Sequence, residues 1–224
     1  KFTKHNRNIL GKQVTATWNP KISPSNNNFS SIVWADKLKM LIAVATSGTL
    51  NRSMISYDGI LWHDALSNPS LATWSLSDYE WNGIAQSSDL DVVLVGSNGR
   101  LAASEDGFAW DNQSTDVHNG NKWESVCWSE TLQRFVAVAS TTATNNFNVV
   151  TGTKIWSTDG TIATIFWNVQ TQATYNLNTW YSVCRSDELG LFVAVATNGT
   201  ERIMYSETGL GLWTLVVAPQ QNQW

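Results

Sequence analysis

The sequence predicts an all-β chain built from one four-strand unit repeated about every 50 residues, and three observations carry that expectation. Four short segments superimpose: "FSSIVW" at 29–34, "WNGIAQ" at 81–86, "WESVCW" at 123–128 and "WYSVCR" at 180–185. Each leads at similar offsets to a third strand ending in serine, at Ser56, Ser104, Ser157 and Ser206, which lie 48, 53 and 49 residues apart. No stretch sustains the 3.6-residue apolar period of an amphipathic helix.

Every unit reads in the same order. It opens on an aromatic (Phe29, Trp81, Trp123, Trp180), and four residues after its opening segment comes a leucine (Leu38, Leu90, Leu132, Leu189). An apolar second strand follows: "LIAVA" at 41–45, "VLVG" at 93–96, and "FVAVA" at 135–139 and again at 192–196. Apolar runs without polar alternation fit strands covered on both faces. Polar loops come next, at 46–54, 97–100, 140–154 and 197–202. After the serine comes a tight turn, in which glycine accepts positive φ and an Asp side chain takes nearby N–H groups. A tryptophan closes the unit (Trp62, Trp110, Trp167, Trp213).

Four short strands at this period are the pattern of propeller blades. The expectation is a β-propeller of about four four-stranded blades, with units at 29–66, 81–113, 123–170 and 180–218. They form a single domain over 13–224, after a basic arm at 1–12. Trp18 holds the closing-Trp place in "TATWNP", so 13–20 is expected as an added outer strand. Trp18 precedes Phe29 by 11 residues and Trp213 precedes Trp224 by 11, so Trp224 falls where a fifth unit would open. A ring of four locked by its terminal strands and a piece of a longer propeller both fit.

The stretches "SYDGILW" at 56–62 and "SEDGFAW" at 104–110 resemble the Asp-box, the S-x-D-G-x-x-W turn of propellers in the sialidase/BNR-repeat superfamily. The resemblance runs from 29 to 218. Two boxes are clean: Ser56, Asp58, Gly59 and Trp62, and Ser104, Asp106, Gly107 and Trp110. The third (Ser157, Asp159, Gly160) has four extra residues before Trp167, and the fourth (Ser206, Gly209, Trp213) has Thr208 in place of Asp and one extra residue. The resemblance implies that these turns sit on the blade periphery and that Asp58, Asp106 and Asp159 are structural. Sialidases of that superfamily use an arginine triad, a Tyr–Glu nucleophile pair and an Asp acid on six blades. This chain has six arginines in all, lacks the Arg-Ile-Pro type signature and has too few units. A sialidase-like glycoside hydrolase is therefore the weakest functional reading. Similar degenerate repeats occur in phage and large DNA virus proteins, which implies a virion-surface or extracellular setting.

Composition agrees with that setting. Only 14% of the 224 residues are charged, and 13 are Trp. Lys1, Lys4, Arg7, Lys12 and Lys21 all precede the first acid, Asp36, although the net charge is −4. The arm reads as a solvated segment or as one that docks on an acidic neighbour in an assembly. An acidic body without a basic stripe argues against nucleic acid. Cys127 and Cys184 form no Cys-x-x-Cys pattern, and His5, His63 and His118 are scattered, so neither a metal nor another cofactor is expected. The two cysteines take the places of Val33 and Ala85 in other units, so buried free thiols are expected, with a disulfide between adjacent blades as the alternative. Asn28, Asn51, Asn112 and Asn198 begin sequons that matter only in a secretory setting. No apolar run reaches transmembrane length and no signal peptide is read. The chain does not begin with Met, and is expected to be processed, trimmed or a piece of a longer one.

Positions that repeat are scaffold, and equivalent positions that differ are free for function. The last residue of the opening strand differs in all but one pair: Trp34, Gln86, Trp128 and Arg185. Around a channel mouth this set suits a polar, partly apolar ligand such as a glycan, because Trp stacks on sugar faces while Gln and Arg donate hydrogen bonds. The other reading is that they fill the channel of a small propeller. The second candidate is the loop set, of which 140–154 is the longest. No nucleophile–base pair stands out. The expected function is a non-catalytic binding or assembly module making protein or glycan contacts, with a lectin as the alternative. A lectin repeats one polar–aromatic set from blade to blade, whereas these positions differ, which favours a single site or a protein interface.

Overall fold

The computed structural model describes residues 19–48, 52–65, 76, 79–87, 93–97, 100–113, 121–141, 149–156, 162–170 and 178–219. Among them are sixteen strands in four antiparallel sheets, each with its strands in chain order, and no α-helix. The first sheet contains β1 (Asn28–Ala35), β2 (Met40–Ser47), β3 (Ser53–Ser56) and β4 (His63–Asp64). The second contains β5 (Trp81–Gln86), β6 (Val93–Ser97), β7 (Arg100–Ser104) and β8 (Asp111–Asn112). The third contains β9 (Lys122–Ser129), β10 (Arg134–Thr141), β11 (Val149–Trp156) and β12 (Ile162–Val169). The fourth contains β13 (Trp180–Ser186), β14 (Leu191–Ala196), β15 (Ile203–Ser206) and β16 (Thr214–Val216).

Side chains alternate along a strand, so each sheet has two faces. One, the forward face, meets the next sheet in the chain, and the rear face meets the previous one. Val33, Ile42 and Ile55 on the first sheet's forward face pack on Trp81, Ile84, Ala102 and Trp110 of the second. Ala85, Leu101 and Ala103 pack on Trp123, Val126, Phe135 and Trp167 of the third. Val136, Val138 and Val149 pack on Trp180, Val183, Phe192, Met204 and Trp213 of the fourth. The same grammar builds all three junctions: small aliphatics look forward, and the opening and closing tryptophans fill the rear. Trp81, Trp123 and Trp180 have no exposed surface. Truncating such a side chain to Ala costs about 3–5 kcal/mol.

The first strands run side by side and are stitched by hydrogen bonds. Ser30 Oγ donates to the Trp81 carbonyl at 2.6 Å, and Asn82 Nδ2 donates to the Trp123 carbonyl at 2.7 Å. Ser125 Oγ accepts from the Val183 N–H at 3.2 Å. A Cβ on Gly83 would stand 3.1 Å from the Ser125 Cα, so glycine permits this approach of two backbones.

Some expectations shift. The loop predicted at 140–154 is shorter, because β10 runs to Thr141 and β11 starts at Val149. Pairing of Val138 with Val149 carries the hairpin into what composition marks as polar loop. Within 13–20, residues 13–18 lie outside the described residues, as does the basic arm at 1–12, and 19–20 are not in a strand. Both thiols are free, but only Cys127 is largely covered and Cys184 is exposed. The two hold equivalent places, and among the described residues only Cys127 has a following sheet over it.

Candidate functional site

The serine turns are local structures set by their own side chains. Ser56 Oγ accepts from Gly59 N at 2.9 Å, and Asp58 Oδ1 accepts from Ile60 N at 2.7 Å and Leu61 N at 2.8 Å. These two N–H groups, Leu61 first, hold the Asp58 carboxyl below its usual range. The second turn repeats the geometry, with Gly107 N on Ser104 Oγ at 2.8 Å and the N–H groups of Phe108 and Ala109 on Asp106 Oδ1 at 2.8 Å each. In the fourth turn Gly209 N again meets Ser206 Oγ at 2.9 Å, and the Thr208 hydroxyl accepts a bond from Leu210 N at 3.1 Å. Trp213 caps that turn by donating Nε1–H to the Gly209 carbonyl at 3.3 Å. Ser157, Asp159 and Gly160 lie outside the described residues.

The strand-end residues occupy equivalent positions, each engaged locally. Trp34 donates its indole N–H to Asp36 at 3.2 Å, and Trp128 donates its own to Glu130 at 2.6 Å. Gln86 Nε2 bonds the Ser87 carbonyl. Arg185 donates Nε to Asp187 at 2.8 Å and Nη1 to the Glu207 carbonyl at 3.1 Å, and its guanidinium lies 4.7 Å above the Phe192 ring. Asp187 in turn accepts from Ser129 Oγ at 3.0 Å, Thr131 Oγ1 at 2.9 Å and Glu130 N at 3.2 Å across the junction. Arg185 foremost, with the Thr131 and Ser129 hydroxyls, holds the Asp187 carboxyl down to about 2. Trp128 and Arg185 thus belong to one network through Glu130 and Asp187. Arg185, with a side chain only 5% exposed, fastens the fourth sheet to the third. Trp34 is the exposed member, at 45%.

Trp34 belongs to a larger surface. Register places Phe29, Ile32, Trp34, Leu41 and Met54 on the rear face of the first sheet, where no sheet precedes them among the described residues. Ile32 is 54% exposed, whereas its equivalents Ile84, Val126 and Val183 are buried. A concavity of about 290 Å³ opens among Phe29, Ile32, Ala43, Met54 and Trp62. At the other end, register aligns Ser182, Val195, Ile203 and Val216 in one row and Cys184, Val193, Tyr205 and Thr214 in the next, on the forward face of the fourth sheet. Val136 and Val138 of the third sheet are fully buried, but their equivalents Val193 and Val195 are only half covered. A second concavity, of about 340 Å³, lies at the edge of this face against Tyr205, Thr208, Leu210, Leu212 and Thr214.

Sequence reasoning named Trp34 but not the surface around it. The signal was present: Phe29, Ile32 and Met54 have the same character as buried residues of later units, and the first unit has none before it among the four. Among the described residues no group of three or more His, Cys, Asp or Glu could hold a metal ion, and no helix is long and apolar enough to cross a membrane.

No family model and no curated protein matches the sequence. Solved structures do match. YCF48 from Cyanidioschyzon merolae aligns with a TM-score of 0.63 at 17% identity, over 93% of this chain and 62% of that one. A structure of YCF48 bound to D1 peptide aligns with a TM-score of 0.60 at 15% identity, over 93% and 60%. The Cps50 (Swd1) β-propeller domain of Myceliophteria thermophila aligns with a TM-score of 0.54 at 13% identity, over 81% and 58%. The chain spans less than two-thirds of the length of each. At such identities the likeness speaks of fold alone, and the fold is that of a β-propeller.

Proposed function

We propose that this chain is a non-catalytic β-propeller module of four Asp-box-type blades that works by binding protein. The setting we assign to it is the surface of a viral or phage particle or an extracellular protein. The observation that carries this reading is the pair of incompletely covered apolar sheet faces, at Phe29, Ile32, Trp34 and Met54 and at Val193, Val195, Ile203 and Tyr205, of which Ile32, Trp34 and Tyr205 are exposed. Contiguous exposed apolar surface of this kind marks protein interaction sites. A neighbour of the same fold, YCF48, is known bound to a peptide, which supports the class of partner. The basic arm at 1–12 would add contacts to an acidic neighbour, and nucleic acid is not a partner in this reading.

Cross-linking mass spectrometry of the chain in its native assembly tests it. Lys37 and Lys39, in the β1–β2 turn, should link to protein, and Ile32→Lys should abolish those links. Turnover of aryl sialosides or other aryl glycosides, lost on Arg185→Ala, would overturn it. A second reading, a glycan site, rests on the half-exposed indole of Trp34. Glycan-array binding lost on Trp34→Ala would establish it in place of the first.

A further inference from the structure

The two uncovered faces are the two halves of one junction that the chain builds three times. Two of the covered junctions, first to second and third to fourth, share three features. Two aliphatics of the second strand face the next sheet: Ile42 and Val44 in the first sheet, Val136 and Val138 in the third. The rear tryptophans of the following sheet cover them. The glycine of the following serine turn then closes onto the first of those aliphatics. A Cβ on Gly107 would lie 2.5 Å from Met40 Cε and 3.0 Å from Ile42 Cδ1, and one on Gly209 would lie 2.9 Å from Val136 Cγ2.

All three features recur, unfilled, at the ends. Val193 and Val195 repeat Val136 and Val138 on the fourth sheet. Phe29, Ile32, Met54 and Trp62 repeat Trp180, Val183, Met204 and Trp213 on the first. Gly59 has the same left-handed conformation, φ 72°, yet the nearest side chain to its Cβ position is Leu41 of its own sheet at 3.5 Å. The polar stitch is also waiting: Ser182 repeats Ser125, and Ile32 repeats the Val183 whose backbone Ser125 binds.

We propose that the occupant is a second copy of this chain, packed head to tail, so that the forward face of the fourth sheet in each copy seats the rear face of the first sheet in the other. This rests on the reading of the chain as a protein-contact module and names its partner. The argument for self-pairing is that the forward face requires a rear face of one specific composition, and this chain carries one uncovered. Two such junctions join two copies into a closed set of eight sheets, at the upper end of the about four-to-eight blades of known propellers. Such a contact joins unlike surfaces and closes by rotation. One pair departs from the pattern. Glu188 stands where Thr131 does, so Asp36 would meet a carboxylate there, and Lys39, 3.1 Å from Asp36, supplies the offsetting charge.

Light scattering over a range of concentrations tests the proposal, on the chain itself and on Val195→Lys and Ile32→Lys. Both substitutions fall on incompletely covered positions, and circular dichroism checks that each variant folds. The expected mass is twice 24.8 kDa for the chain and 24.8 kDa for each variant alone. An equimolar mixture of the variants should regain a two-chain species, because one intact junction remains between them. A one-chain mass at every concentration, or a two-chain mass indifferent to both substitutions, overturns the proposal. If the mass is one chain but Ile32→Lys still abolishes cross-links to another protein, the binding-module reading stands and self-pairing falls.

Discussion

The third and fourth sheets carry the same second-strand sequence, "FVAVA", yet meet different surroundings. In the third sheet Phe135, Val136, Ala137, Val138 and Ala139 are all buried; in the fourth, Phe192, Ala194 and Ala196 are buried while Val193 and Val195 are half covered. The residues are identical, so the difference comes from neighbours alone. Among the described residues the third sheet has a sheet on each side, and the fourth has one behind it only. Burial here is a property of position in the stack.

The contrast can be sharpened by substitution. The largest effect is expected at the opening aromatics. Trp180→Ala, in a covered junction, should cost about 3–5 kcal/mol in urea unfolding, whereas Phe29→Ala, on the uncovered face, should cost the single chain less than about 2 kcal/mol. Near-equal losses would mean that the two faces are equally covered.

Next come the turn glycines. Gly107→Ala must hold a left-handed backbone, at about 1–2 kcal/mol, and also press a methyl group into Met40, at about 1–3 kcal/mol more. Gly59→Ala, whose methyl group would meet only Leu41 at an ordinary 3.5 Å, should show only the first cost in a single chain. Unfolding of the two variants below the concentration at which chains pair separates the contributions.

The third effect is acid sensitivity. Asp187 has its carboxyl held down to about 2 by Arg185 and two hydroxyls across a covered junction. A depressed carboxyl stabilises the fold above its unfolded value of about 4. That stability is present above about pH 4 and is lost as pH falls towards about 2. Asp187→Asn should flatten this part of the melting-temperature profile, and an unchanged profile would remove Asp187 from the junction's stability. The smallest effect is at Thr208, where an Asp would accept two N–H groups as Asp58 does. Thr208→Asp should add about 0.5 kcal/mol, read in the same unfolding assay.

Much of the fold can be read from the sequence because the unit repeats. Period, strand order and the roles of Trp110, Trp167 and Trp213 follow from superimposing four segments. The loop predicted at 140–154 was misjudged, since Val149 and Val150 join β11 through pairing that composition does not express. The strand-end set was readable as variable positions, but its chemistry was not. Arg185 is variable because it answers Asp187 and Thr131 at one particular junction, and only coordinates show that pairing. Cys184 was expected to be buried like Cys127 because equivalence within a repeat implies equal cover, and that inference fails at the end of a stack.

The two thiols also supply the most direct measurement, which is the rate of maleimide labelling of each cysteine, followed by mass spectrometry from dilute to concentrated protein. Burial pushes the Cys127 thiol well above its usual range, and the thiolate is the reactive form, so Cys127 should stay unlabelled throughout. Cys184 should label quickly in dilute solution and become protected as copies pair over the forward face of the fourth sheet. Equal rates at the two cysteines in the folded chain, or a Cys184 rate that ignores concentration, would contradict the account.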